Sequence, residues 1–137
     1  MSTWLREKEE KIFKIIEALA EESTKGRPIV VEGTKDVESL FELGVTGKVL
    51  TVKTGGKSFL DAISEIEKLG VPEVILLLDF DRRGKEGTKR LKQSLERNKI
   101  KPNVKFWRAL SALVAKEIQC IESLPAYLRT LHAKITA

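Results

Sequence analysis

Apolar residues in this chain fall into short continuous runs and longer stretches with a helical period, and the two kinds alternate. Residues 4–22 place Leu5, Ile12, Phe13, Ile15, Ile16, Leu19 and Ala20 near a spacing of three to four, with Glu and Lys between them. That spacing predicts an amphipathic helix laid on a sheet. It ends near Thr24-Lys25-Gly26, after which Pro28 opens a β-branched run, Ile29-Val30-Val31, expected as a buried first strand. Lys35 to Leu43 reads as a second helix, capped by Thr34, favoured in its first turn by Asp36 and Glu38, and ended by Gly44.

Lys48 to Val52 predicts a second strand and Phe59 to Leu69 a third helix, with Ser58 as its cap, Asp61 completing an S-x-x-D pair and Gly70 at its end. The longest apolar run is Val74 to Leu78, unbroken by any polar side chain, the pattern of a central parallel strand covered on both faces. Lys85 to Asn98 follows as a helix whose strong apolar residues are Leu91 and Leu95 alone. Val104-Lys105-Phe106-Trp107 is expected as a fourth strand near an edge, because Lys105 interrupts it. From Ser111 the chain turns helical again. Its last helix contains Pro125 near the start, Ser123 as a cap, and Tyr127, Leu128, Leu131 and Ile135 along one face.

This order predicts an α/β fold: a mostly parallel four-stranded sheet flanked by helices, with N-terminal and C-terminal helical extensions. At 137 residues the expectation is a single domain, 1–137, with a core of about 27–107, an N-terminal helix at 4–22 and C-terminal helices at 111–135.

Composition narrows the class. Hydrophobic residues make up 42% and charged residues 33%, the balance of a soluble globular protein. No apolar run approaches the roughly 18 residues needed to span a bilayer, so no membrane partner and a cytoplasmic location are expected. One cysteine, Cys120, and one histidine, His132, exclude an internal disulfide and a zinc-type cluster, so any metal here takes oxygen ligands. The net charge of +5 is too mild to name a partner, but its distribution is uneven. Between Arg82 and Arg108 there are eleven basic residues against two acidic ones, and the rest of the chain is therefore net negative.

Candidate chemistry gathers at strand ends. Asp79 and Asp81 close the long apolar run, and a spacing of two puts both side chains on the same side of an extended strand end. Carboxylates held that close take up a proton or a cation, unless they merely begin a turn before Gly84. Glu32 closes the first strand, where burial without a partner is penalised, so it is expected to face a polar pocket. Asp36 has the plainer role of helix cap. Lys53-Thr54-Gly55-Gly56-Lys57 sets a glycine pair between two lysines before a helix start, which suits a phosphate but lacks Walker A spacing.

Val31-Glu32-Gly33 with Asp36, followed some fifty residues later by Asp79-x-Asp81 with Gly84, resembles the Toprim domain of topoisomerases, bacterial-type primases, recombination-repair proteins and certain nucleases. The likeness spans about Arg27 to Trp107 and is similar in scale to small stand-alone Toprim proteins. It implies that Glu32, Asp79 and Asp81 hold Mg²⁺, as one or two ions with Mn²⁺ as a substitute. It also implies that Glu32 is a general acid or base, and that Asp79 bridges the ions if there are two. The basic block would then hold a polyanion across the site, with Arg82, Arg83 and Lys85 nearest the reacting phosphate and Lys53 and Lys57 as further substrate contacts.

The implied function is Mg²⁺-dependent phosphotransfer on nucleic acid, RNA or DNA, of a nuclease-like or primase-like kind. The alternative is a nucleic-acid or ribonucleoprotein binding module that grips phosphate through the metal without turnover. Tyr127, in the last helix, is not expected to serve as a topoisomerase nucleophile, and no zinc module or second domain is expected beside the core. An Asp-x-Asp after a strand also occurs in haloacid-dehalogenase phosphatases, but there it follows the first strand and would leave Glu32 without a role.

Overall fold

A computed structural model describes residues 3–52 and 56–137, the side chains of 56–58 excepted. Its elements run α1 (Thr3–Thr24), β1 (Ile29–Val31), α2 (Thr34–Glu42), β2 (Val49–Thr51), α3 (Gly56–Leu69), β3 (Glu73–Leu76), α4 (Arg82–Arg97), β4 (Lys101–Asn103), α5 (Lys105–Val114), a short 3₁₀ turn (Ile121–Ser123) and α6 (Leu124–Thr136). The four strands pair in parallel in the order β2-β1-β3-β4. The α/β architecture with helices on both faces is thus the one the apolar pattern predicts. Among the described residues, no helix is long and apolar enough to cross a membrane.

Period-two alternation divides the strands between two cores. Ile29, Val31, Ile75 and Leu77 face α1, α2, α5 and α6, packing on Ile12, Ile16, Leu19, Leu40 and Leu110. Val30, Val74, Leu76 and Leu78 face the other way, onto Ile63 and Ile66 of α3 and Leu91 and Leu95 of α4. Every residue from Val74 to Leu78 is fully shielded from solvent, as a strand covered on both faces requires. β1 and β3 are neighbours, with Ile29 opposite Ile75 and Val30 opposite Leu76. Their carboxyl ends, Glu32 and Asp79, therefore emerge side by side.

The fourth strand is not Val104 to Trp107. It is Lys101–Asn103, paired with Glu73–Ile75, and the chain turns into α5 at once. Asn103 makes that turn: its Oδ1 accepts the Lys105 N–H at 2.9 Å, and its Nδ2 donates to Glu73 Oε2 at 2.8 Å. Phe106, Leu110 and Val114, spaced by four, are buried along one face of α5, so the aromatic pair belongs to a helical period.

Helix starts also differ. Gly33, not Thr34, is the cap of α2, and Asp36 Oδ2 accepts the Gly33 N–H at 3.0 Å. α4 begins at Arg82, three residues before the expected Lys85, because Asp81 caps it by accepting the Gly84 N–H at 2.8 Å. α3 starts at Gly56, placing Ser58 inside the helix. Ser123 precedes α6 without a side-chain cap hydrogen bond.

Candidate metal and phosphate site

Open α/β sheets bind ligands beyond the carboxyl ends of their strands. Here that edge carries a cleft of about 400 Å³ lined by Glu32, Asp36, Asp79, Asp81, Arg83 and Glu122. Five carboxylates and one guanidinium thus face one open space. Asp79 is the least satisfied of them. Its Oδ1 is buried and accepts no hydrogen bond. Burial, then the charges of Glu32, Asp36, Asp81 and Glu122, push its pKa up to about 7. A carboxylate so placed holds a proton at neutral pH or gives it up to a cation.

Glu32 is half-buried, and burial raises its pKa, with Asp81 and Asp36 adding to the rise and Arg83 opposing it. Asp36 is buried and fully engaged: Oδ2 takes the Gly33 N–H and Oδ1 takes the Glu122 N–H at 2.9 Å. It is a structural clasp between α2 and the 3₁₀ turn, and burial still raises its pKa against those two bonds. Asp81 gives one oxygen to the helix cap. Among the described residues, no group of three or more acids, histidines or cysteines is drawn close enough to be a ready-made metal cluster. The three sequence-identified acids therefore line one cleft without closing on a common point.

Backbone support for the site comes from three places. A Cβ at Gly84 would overlap the main-chain carbonyl of Asp79, so only glycine lets the first turn of α4 sit against the end of β3. The Trp107 indole Nε1 donates to the Leu78 carbonyl at 2.9 Å and reaches the Asp79 carbonyl at 3.3 Å. Phe80 N–H donates to the Gln119 carbonyl at 2.7 Å.

The predicted basic contacts separate. Arg83 lines the acidic cleft. Arg82 is almost wholly exposed, 93% at the side chain, and pairs with Glu86 at 3.4 Å. Lys85 lines a different groove, with Lys89, Lys92, Trp107 and Arg108. Lys53 lies outside the described residues, as does the side chain of Lys57. Glu122 and Trp107 are the site-forming residues that sequence reasoning missed. Glu122 carries no signal in the sequence because only tertiary packing brings it there. Trp107 signals itself through the helical spacing around Phe106 and Leu110.

With that geometry in place, the comparisons are informative. A family model described as Toprim domain matches residues 26–105. A UPF0292 protein of Methanocaldococcus jannaschii is 40% identical over 119 residues, covering 86% of this chain and 90% of its own. A UPF0292 protein of Methanosarcina acetivorans is 35% identical over 129 residues, 94% of this chain and 88% of its own. A solved structure from Aquifex aeolicus superposes with a TM-score of 0.66 at 25% identity, over 80% of this chain and 94% of that one.

Proposed function

This chain belongs to the Toprim family, and from that premise we propose that it carries out Mg²⁺-dependent phosphotransfer on nucleic acid, of a nuclease-like or primase-like kind. Toprim domains generally bind a divalent metal, and the donor set here fits a hard one: Glu32, Asp79 and Asp81 offer carboxylate oxygens, and among the described residues lining the cleft the one soft ligand is Cys120. The observation that carries the reading is the orphaned Asp79 Oδ1, buried among four other carboxylates. Such an atom is costly to desolvate and leave without a partner, and a cation removes that cost.

Glu32, Asp79 and Asp81 would hold the ion. When bound, it supplies charge neutralisation for a phosphate oxygen and acidifies a coordinated water. Asp79, at the end of the buried β3 strand, would give up its proton to hold the ion. Glu32, half-buried with its pKa raised by burial and by Asp81, is the group placed to accept or return a proton. Arg83, facing the same cleft, supplies the fixed positive charge that meets the phosphate.

The test is a screen of RNA and DNA substrates with Mg²⁺ or Mn²⁺. Cleavage or extension that vanishes in Asp79→Ala supports the reading. Binding without turnover under either metal overturns the catalytic claim and leaves a phosphate-gripping module.

A further inference from the structure

The face that α4 turns toward α5 carries charge of the opposite sign to the cleft. Lys85, Lys89 and Lys92 are spaced i, i+4, i+7 and so share one side of α4, beside the buried Gly84, Thr88, Leu91 and Leu95. With Arg108 of α5 they line a groove of about 210 Å³ that also includes Thr88 and Trp107, and no carboxylate lines it. Among the described residues, none of these four basic side chains forms an ion pair or hydrogen bond. The other basic residues of α4 face elsewhere: Arg83 lines the acidic cleft, and Arg90 lies over the Phe59 ring at 4.4 Å.

Four like charges gathered in one concavity repel one another, and the field they sum to favours a polyanion. The row is also directional. At about 1.5 Å per residue, Lys85 to Lys92 covers about 10 Å, long enough to meet more than one phosphate of a strand. Glu96 stands next on the same side of the helix and ends the row. Trp107 joins groove and cleft, since its ring lines the one while its N–H holds the carbonyls of Leu78 and Asp79 at the other.

We propose that the α4–α5 groove is a track for the phosphodiester backbone of a nucleic-acid strand, outside the acidic cleft and one side chain from it. It deepens the phosphotransfer reading by giving the substrate a holding site remote from the reacting phosphate. The charges line a concave groove, not a flat face, and among the described residues its apolar lining is limited to Val104 and Trp107, which favours a strand over a flat lipid surface. Lys89, Lys92 and Arg108 are assigned to phosphate contact, with Lys85 at the end nearest the cleft.

The experiment is fluorescence anisotropy with a labelled single-stranded oligonucleotide of about 20 nucleotides, in EDTA, between about 50 and 200 mM salt. The triple variant Lys89→Ala/Lys92→Ala/Arg108→Ala is expected to bind at least about tenfold more weakly, and its slope of log K against log salt is expected to flatten by about 2, at about 0.7 per lost contact. Lys11→Ala/Lys14→Ala/Lys68→Ala removes the same charge from exposed sites on α1 and α3 and is expected to stay within about twofold of wild type. Circular dichroism checks that both variants fold. Equal losses in the two variants, or no binding by wild type, would overturn the groove. Because no metal is present, the two readings fail separately: wild-type binding with no turnover in any metal sinks catalysis alone, whereas turnover with an unaltered triple-variant slope sinks the groove alone.

Discussion

Trp107 Nε1 lies 3.3 Å from the carbonyl oxygen of Asp79 and 2.9 Å from that of Leu78, so a helix residue fixes the backbone from which the central carboxylate projects. Trp107→Phe keeps most of the ring and removes the donor. The expected cost is about 1–1.5 kcal/mol, since two carbonyls lose their shared N–H. That corresponds to a fall in Tm of about 3–6 °C for a chain of this size. Calorimetry checks the stability loss, and a weakened Mn²⁺ affinity by titration would show that the cleft has loosened with it. An unchanged Tm would mean that the indole only fills space.

Gly84→Ala meets a main-chain carbonyl, not the end of a flexible side chain. Either the first turn of α4 or the end of β3 must retreat, and overpacking of this kind costs about 1–3 kcal/mol. Urea unfolding is expected to show a lowered midpoint with an unchanged slope. The same retreat withdraws Gly84 N–H from Asp81, so metal affinity falls in parallel.

Asp79 makes the stability of the metal-free protein depend on pH. Its folded-state pKa, pushed up to about 7 by burial and then by neighbouring carboxylates, lies above the ordinary 3.8. Between those values the folded state binds more protons than the unfolded chain, so this contribution to stability falls as pH rises and levels off above about 7. Tm measured in EDTA from acidic to weakly alkaline buffer should show that decline in wild type and lose much of it in Asp79→Asn, which should be the more stable protein at pH about 8. Added Mg²⁺ should then raise the Tm of wild type and leave Asp79→Asn nearly unmoved. The opposite ranking in EDTA would show that Asp79 is already satisfied without a cation.

Arg83 opposes the rise in the Glu32 pKa while burial and Asp81 promote it. Arg83→Gln is expected to move the Glu32 titration further upward, read by carboxyl-carbon NMR. Divalent cations should bind it more tightly, because a positive neighbour is gone. Turnover of any substrate found should drop by about 10²-fold in kcat, the usual effect of losing one group that stabilises developing charge. A loss confined to KM would reassign Arg83 to ground-state binding.

The strand ends were the readable part of this site. Val31-Glu32 and the Val74–Leu78 run followed by Asp79 announce themselves because a buried parallel strand is continuously apolar, and an acid that breaks such a run must sit at its end. β4 was not readable in the same way. Lys101-Pro102-Asn103 has no apolar run, and its pairing with Glu73–Ile75 is dictated by the sheet beside it. Lys105 looked like an interruption in a strand, yet it is the first residue of a helix whose buried face begins at Phe106. The division of the basic block was hidden as well: only the position of α5 against α4 decides that Lys85 faces a groove while Arg83 faces the acids.

Residues 26–105 are enough to recognise the family, but they do not complete the cleft. Its far wall arrives later, where Glu122 N–H meets Asp36 Oδ1 and Gln119 receives the Phe80 N–H. A fragment trimmed to the recognisable portion would keep Glu32, Asp79 and Asp81 and yet strand a buried aspartate with one bond of its two. The signature and the working edge are different lengths of the same polypeptide, and the tail is what turns a set of acids into an enclosure.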